Sequence, residues 1–236
     1  IKVPDWSPIR AVSEVDSFKV DELGISLIDF KFPKGTQYPC LPVRSDNGLI
    51  YPLEGRTHVG SPEIVLAEEM GADIVVHHGV IVPWLNEDRP FESFSIDILR
   101  RRSENVKGSP TEKTWKEIGN SLYGKLAQGI KEKRAFDSRE GGSSILPPSK
   151  VTQPYLAAYL TSIVRAVLGE LLSKLPADKK LISATTDGFI SNLPLKEIDT
   201  SGPLCRFFSS LRKRISGDET ILETKHVANS YLCWKT

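Results

Sequence analysis

Three side chains spaced about one helical turn apart, Lys116, Asn120 and Tyr123, are the densest concentration of usable chemistry in the chain. At about 100° per residue, Lys113, Lys116, Asn120, Tyr123 and Ala127 form one stripe. Trp115, Ile118, Leu122 and Leu126 form a second, offset by roughly a third of a turn. If the apolar stripe anchors the helix, the polar one is left to present an ammonium, an amide and an aromatic ring. An ammonium suits triphosphate oxygens, while amide and phenol suit base edges and faces. Gly124, next to the tyrosine, allows another backbone or a base to approach closely. A solvated helix face explains the same spacing, and on spacing alone it is the simpler account.

The second concentration is Ser183-Ala184-Thr185-Thr186-Asp187-Gly188-Phe189, two extended runs meeting at Asp-Gly. That pair favours a type I′ hairpin turn without any functional reason. It would also hold a carboxylate at a rigid tip, where Asp187 could supply part of a divalent-cation site completed by substrate phosphates. Elsewhere the chemistry is sparse. Cys40, Cys205 and Cys233 are odd in number and widely spaced, and His58, His77, His78 and His226 lack metal-ligand spacing. Structural zinc and a disulfide framework are therefore not expected, and a reduced, cytoplasmic setting is.

The elements that must position these groups follow from pattern. Alternation over residues 25–32 puts Ile28, Phe30 and Phe32 on one face and Asp29 and Lys31 on the other, a half-buried strand. Residues 38–43 read as an edge piece limited by Pro39 and Pro42, residues 49–51 as a strand after Asp46-Asn47-Gly48, and residues 73–82 as another strand. A helix is expected over 62–70, capped by Ser61 or Thr57 and stopped by Gly71. Helices over 91–105 and 111–133 are joined by Gly108-Ser109-Pro110, and residues 137–151 form the clearest loop. Pro154 opens a long helix, a further helix spans 203–214, and strands at 221–224 and 231–235 close the chain.

Composition sets broad limits. The 236 residues are 39% hydrophobic and 26% charged, which excludes collagen-like and highly charged disordered classes. No stretch approaches the roughly 18 apolar residues of a membrane span, so no membrane partner is expected. Lys plus Arg number 31 against 30 acids, so any basic surface must arise by clustering. Arg100, Arg101, Arg102, Lys113, Lys116, Lys125 and residues 131–134 supply such a cluster around one helical hairpin.

Together, the Lys-x3-Asn-Ser-Leu-Tyr-Gly-Lys helix, the long helix and the Thr-Asp hairpin resemble the family B DNA polymerases, and among them the protein-primed polymerases of phages and plasmids. Asn120-Ser121-Leu122-Tyr123-Gly124 matches the fingers motif in full. The resemblance implies that Lys116 contacts the triphosphate and acts in catalysis, and that Asn120 and Tyr123 line the nascent base-pair pocket. One of Arg100, Arg101 and Arg102 would add a cation to the nucleotide site, and Thr186, Gly124, Lys125, Arg165 and Lys235 would face DNA. The palm motif Asp-Thr-Asp is matched only in part: Thr185 stands at the first acid, and Asp187 matches the second, the catalytic metal ligand. Gly188 stands where the family usually has Ser. Lys235-Thr236 resemble the start of the family's Lys-x-Tyr element, which holds the primer terminus, although the sequence stops before the Tyr.

The implied fold is α+β: an antiparallel palm sheet with packing helices, helical-hairpin fingers and insertion segments. Residues 1–90 would be a palm part with the first insertion, 91–130 the fingers, 131–151 the second insertion and 152–236 the C-terminal palm. The implied function is DNA-directed DNA synthesis by a two-metal mechanism with Mg²⁺ or Mn²⁺, on primer–template DNA and dNTP. The first palm motif, Asp-x-x-Ser-Leu-Tyr-Pro, is absent, and the chain opens at Ile1 with Met70 as its one methionine. A partial chain is therefore expected, needing an N-terminal segment with that motif and the exonuclease, with terminal protein as a further partner. The alternative is a non-catalytic module that binds DNA or terminal protein. A phosphohydrolase is a poorer third, because too few carboxylates cluster near Asp187.

Overall fold

Alternation does place the first strand as expected. In a computed structural model, which describes residues 1–224 and 227, β2 (Leu23–Lys31) buries Ile28 and Phe30 on one face and turns Asp29 and Lys31 to the other. It lies inside an antiparallel four-stranded sheet of order β1-β6-β2-β5, with β1 at Arg10–Val12, β5 at Glu54–Gly60 and β6 at Asp73–Val82. His77 is an extra residue in β6, between the pairs Leu27↔His78 and Ile28↔Val76. The bulge brings its ring 2.8 Å from Asp29, which Arg56 of β5 also holds at 2.6 Å.

The inner face of the sheet is covered by α1 (Ser61–Glu69) and α4 (Pro154–Ser173). Leu156, Tyr159, Ile163, Ala166, Val167 and Leu171 of α4 join Ile28, Phe30, Ile64 and Leu66 in one buried cluster. Core side chains of the 1–90 segment and of the segment after 152 thus interdigitate in a common interior. By length and composition α4 could cross a membrane, which corrects the reading that no segment approaches a span. It is the core helix, and its charged side chains are paired inside the protein. Glu170, buried, accepts N–H bonds from Leu204 (3.1 Å) and Cys205 (2.8 Å) at the start of α5 (Pro203–Ser216). A carboxylate suits that position, since the first N–H groups of a helix have no internal partner. A Cβ on Gly202 would fall 2.1 Å from the Glu170 carboxyl carbon, so that approach requires glycine.

The α+β class holds, with corrections in detail. The edge piece at 38–43 is not a strand, since Pro39 and Pro42 remove two donors; instead β3 (Val43–Ser45) and β4 (Gly48–Ile50) pair around Asp46-Asn47. Thr57 does not cap α1: it lies in β5, whose inward residues are too small to show an apolar alternation. The cap is Gly60, with the Glu63 carboxylate accepting its N–H at 3.2 Å. The helix expected to reach 133 is α3 (Pro110–Leu126), and Gly129 with φ of 80° follows its end. The loop expected at 137–151 is in part a hairpin that starts before it, β7 (Arg134–Asp137) with β8 (Gly142–Ile145). No strand forms at 221–224, and the strand at 231–235 lies outside the described residues.

Candidate functional site

The fingers-like hairpin is α2 (Glu92–Ser103) against α3. Ser109 caps α3 by accepting the Glu112 N–H at 3.2 Å, and Pro110 fills the first helical position. Arg102 of α2 donates to Glu112 at 2.9 and 3.1 Å, which ties the connection together. That pairing holds the Glu112 carboxyl below its usual range. The anchoring stripe of α3 differs from the expected one. Ile118 is exposed, and Gly119 replaces it against α2, where a Cβ would lie 3.0 Å from Ile98. The contact face is therefore Glu112, Trp115, Gly119, Leu122 and Leu126, spaced by three and four residues.

That rotation leaves Lys113, Lys116, Asn120, Tyr123 and Gly124 exposed, as the spacing requires. Among the described residues, Lys116 and Asn120 have no side-chain hydrogen bond or ion pair, and nothing stands within 4 Å of a Cβ on Gly124. The three arginines of α2 are different. Arg100 pairs with Asp97 (2.6 Å) and Glu104 (2.7 Å), and Arg101 pairs with Asp97 (2.7 Å) while lying 4.6 Å over the Trp115 ring. Neither is an unengaged cation for a triphosphate.

The C-terminal end of α3 is clamped to the start of α4. Ser149 and Thr152 hydroxyls donate to the Lys125 carbonyl (2.6 Å) and the Gln128 carbonyl (2.8 Å), and the Gln153 N–H donates to Leu126 at 2.9 Å. The Lys125 ammonium donates to Gln128 at 2.8 Å. Tyr123 reaches α4 itself, with its hydroxyl 2.7 Å from Thr161 Oγ1. One turn further, Arg165 makes a bidentate pair with fully buried Glu63, at 2.7 and 3.2 Å. Burial opposes the charge on Arg165, but the Glu63 carboxylate outweighs it and raises the guanidinium's pKa overall. Arg165 thus has a structural partner inside the protein.

The Asp187 hairpin departs from the type I′ expectation. Its strands are β9 (Leu181–Ala184) and β10 (Phe189–Ser191), with Ala184 opposite Phe189. The Thr185 N–H and hydroxyl both donate to the Gly188 carbonyl, at 2.8 and 3.1 Å, so Thr186 and Asp187 form the tip. Gly188 and Asp187 lack positive φ, which type I′ would require at two positions. Thr185, where the polymerase motif has an acid, serves here to close the turn. Leu181 and Phe189 seat the hairpin on the small cluster of Leu172, Leu175 and Leu193, and Asp187 is exposed.

The fold therefore gathers Lys116, Asn120, Tyr123 and Gly124 on one open helix face. It holds Arg165 beside that face and carries Thr186 and Asp187 on a separate tip, with no hydrogen bond or ion pair between tip and α3 among the described residues. Lys235 lies outside those residues. No group of three or more His, Cys, Asp or Glu side chains converges as a metal site among the described residues, so Asp187 alone does not make a complete cation site. Thr161 and Glu63 escaped the sequence reading. Their signals were available: Thr161 and Arg165 are polar residues four apart in an apolar helix, and Glu63 sits in the first turn of an apolar one.

These features make an α+β arrangement of antiparallel sheets and packing helices, and solved structures agree at the level of fold. Phi29 DNA polymerase complexed with primer-template DNA, in a post-translocation binary complex, superposes with a TM-score of 0.50 at 14% identity. The likeness covers 78% of this chain and 35% of that one. No family model matches the sequence. Among curated proteins, the primer-independent DNA polymerase PolB of Escherichia coli is 44% identical over 245 aligned residues, taking in 100% of this chain. The chain spans 28% of that relative's length. The resemblance to DNA polymerases drawn from the fingers motif thus runs through the whole chain, which matches part of a larger polymerase.

Proposed function

We propose that this chain is the fingers and C-terminal palm portion of a DNA-directed DNA polymerase, and that nucleotidyl transfer requires a further segment bearing the first palm acid. The 44% match of this whole chain to part of a DNA polymerase carries this reading. The open face of α3 supports it, because Lys116 and Asn120 are solvent-exposed, with no side-chain hydrogen bond or ion pair among the described residues. In this reading the Lys116 ammonium takes the triphosphate, and Asn120 and Tyr123 border the forming base pair. Arg100 and Arg101 would have to leave acid partners to join them, which exposed ion pairs allow at little cost. Asp187 is one carboxylate of a site for Mg²⁺ or Mn²⁺, completed by an acid from the other segment and by substrate phosphates. Such a cation would stabilise charge on the transferring phosphoryl group.

Primer–template DNA, dNTP and an N-terminal segment with the exonuclease are the partners this reading requires, and a terminal protein fits the first insertion within residues 1–90. The cytoplasm, of a host cell if the chain is phage- or plasmid-encoded, is its place. Primer extension with Mg²⁺ and dNTP tests it, using this chain with and without the N-terminal part of the Escherichia coli relative. Synthesis only in the mixture is the expected result. Robust synthesis by the chain alone would remove the requirement for a second segment.

One observation favours a second reading. Thr185 stands at an acid position and closes a turn, and no metal-binding cluster of carboxylates forms around Asp187 among the described residues. A non-catalytic module binding DNA or terminal protein would keep these features. It would bind primer–template in the mixture but incorporate nothing.

A further inference from the structure

We propose that Thr161 is a positioning residue for Tyr123, and that it acts on nucleotide selection by holding the tyrosine ring in one orientation. The inference rests on the reading of Tyr123 as part of the nucleotide site. The hydrogen-bond arithmetic sets the direction of the contact. The Thr161 hydroxyl carries one proton, which it donates to the Ala157 carbonyl at 2.9 Å. The 2.7 Å contact with Tyr123 must therefore be donated by the phenol.

That bond fixes the far end of a side chain with only two rotatable torsions, so it sets the ring as a whole. The acceptor is itself well placed. Thr161 lies on α4 between two tethers, the Tyr159 hydroxyl on the Val20 carbonyl at 2.9 Å and the Arg165–Glu63 pair. The phenols of Tyr51 and Tyr123 lie within electrostatic reach of the same guanidinium. The Tyr123 hydroxyl is thus held on the core helix, while its half-exposed ring stays open to a ligand. Without the bond, a nucleotide must immobilise the ring itself, and the loss appears in binding rather than in the chemical step.

The test has two arms. Fluorine NMR of the chain with 3-fluorotyrosine at position 123 reads the ring directly. Thr161→Val should shift or broaden that resonance and Thr161→Ser should restore it; an unchanged resonance in the valine variant overturns the proposal. The second arm measures single-nucleotide incorporation by the chain complemented with the N-terminal part of the Escherichia coli relative. Thr161→Val should raise the dNTP KM about two- to tenfold with kcat little changed. In a Tyr123→Phe background, which already lacks the phenol donor, it should add nothing. An equal effect of Thr161→Val in both backgrounds, or a fall in kcat alone, overturns the assignment. If the unaltered complemented chain incorporates no nucleotide, the polymerase reading falls and nucleotide selection with it, while the fluorine arm separately decides whether Thr161 holds Tyr123.

Discussion

The interior between the sheet and α4 and the surface formed by α3 and the β9–β10 tip treat polar side chains in opposite ways. In the interior, Glu63 meets Arg165 and Glu170 takes two N–H groups of α5, because a buried charge without partners is strongly destabilising. On the surface, Lys116, Asn120 and Asp187 stand in water without internal hydrogen bonds or ion pairs among the described residues. The comparison separates charged groups that build the fold from those that stay solvated and open to a ligand. It also moves Arg165, paired with buried Glu63, toward the first kind, although the family resemblance puts it with the second, whereas Arg100 and Arg101 hold exposed ion pairs on the surface.

Asp187→Ala should give the largest effect. Incorporation by the complemented enzyme should drop by roughly 10³-fold or more, while the melting temperature of the chain stays nearly unchanged. Retained synthesis would remove Asp187 from the site. Arg165→Met is the converse case: it leaves Glu63 buried without its cation and should destabilise the chain by about 3–5 kcal/mol in denaturant unfolding. A change under about 1 kcal/mol would show that Arg165 is not structural, and so return it to the DNA face.

Gly202→Ala drives a methyl group into the Glu170 carboxylate and should cost about 1–3 kcal/mol by the same measurement. Lys116→Ala should raise the dNTP KM about tenfold at unchanged stability, and an unaltered KM would leave the lysine a solvated residue. The smallest effect concerns pH. Arg102 lowers the Glu112 pKa in the folded chain, so the pair contributes fully above the ordinary carboxylate range and is lost as pH falls through the folded value. The stability difference between the unaltered chain and Glu112→Gln should therefore be present at neutral pH and shrink in acid. A difference that grows in acid would reverse the assignment.

Much of the site was legible because helices and strands write their periodicity into adjacent residues. The polar stripe of α3, the inward face of β2 and the start of α4 at Pro154 were all readable from spacing. The anchoring stripe of α3 lies one position from the one its apolar residues suggest, since Gly119 presents no apolar side chain and its role appears only when Ile98 lies against it. Strand β5 was missed for a related reason: small inward residues give little signal until β2 pairs with them. The hairpin tip was placed one residue late because Asp-Gly favours a type I′ turn locally, whereas Thr185 closes a different one through the Gly188 carbonyl.

By itself the sequence determined which side chains share a face, since that depends on residues a few positions apart, and through the Asn120–Gly124 motif it determined the kind of chemistry to expect. Which charges remain available was decided only by tertiary structure. Glu63 and Arg165 are 102 residues apart, and Tyr123 and Thr161 are 38 apart. No local pattern encodes such pairs, because they form only when separate elements pack and the charges they bury must find one another.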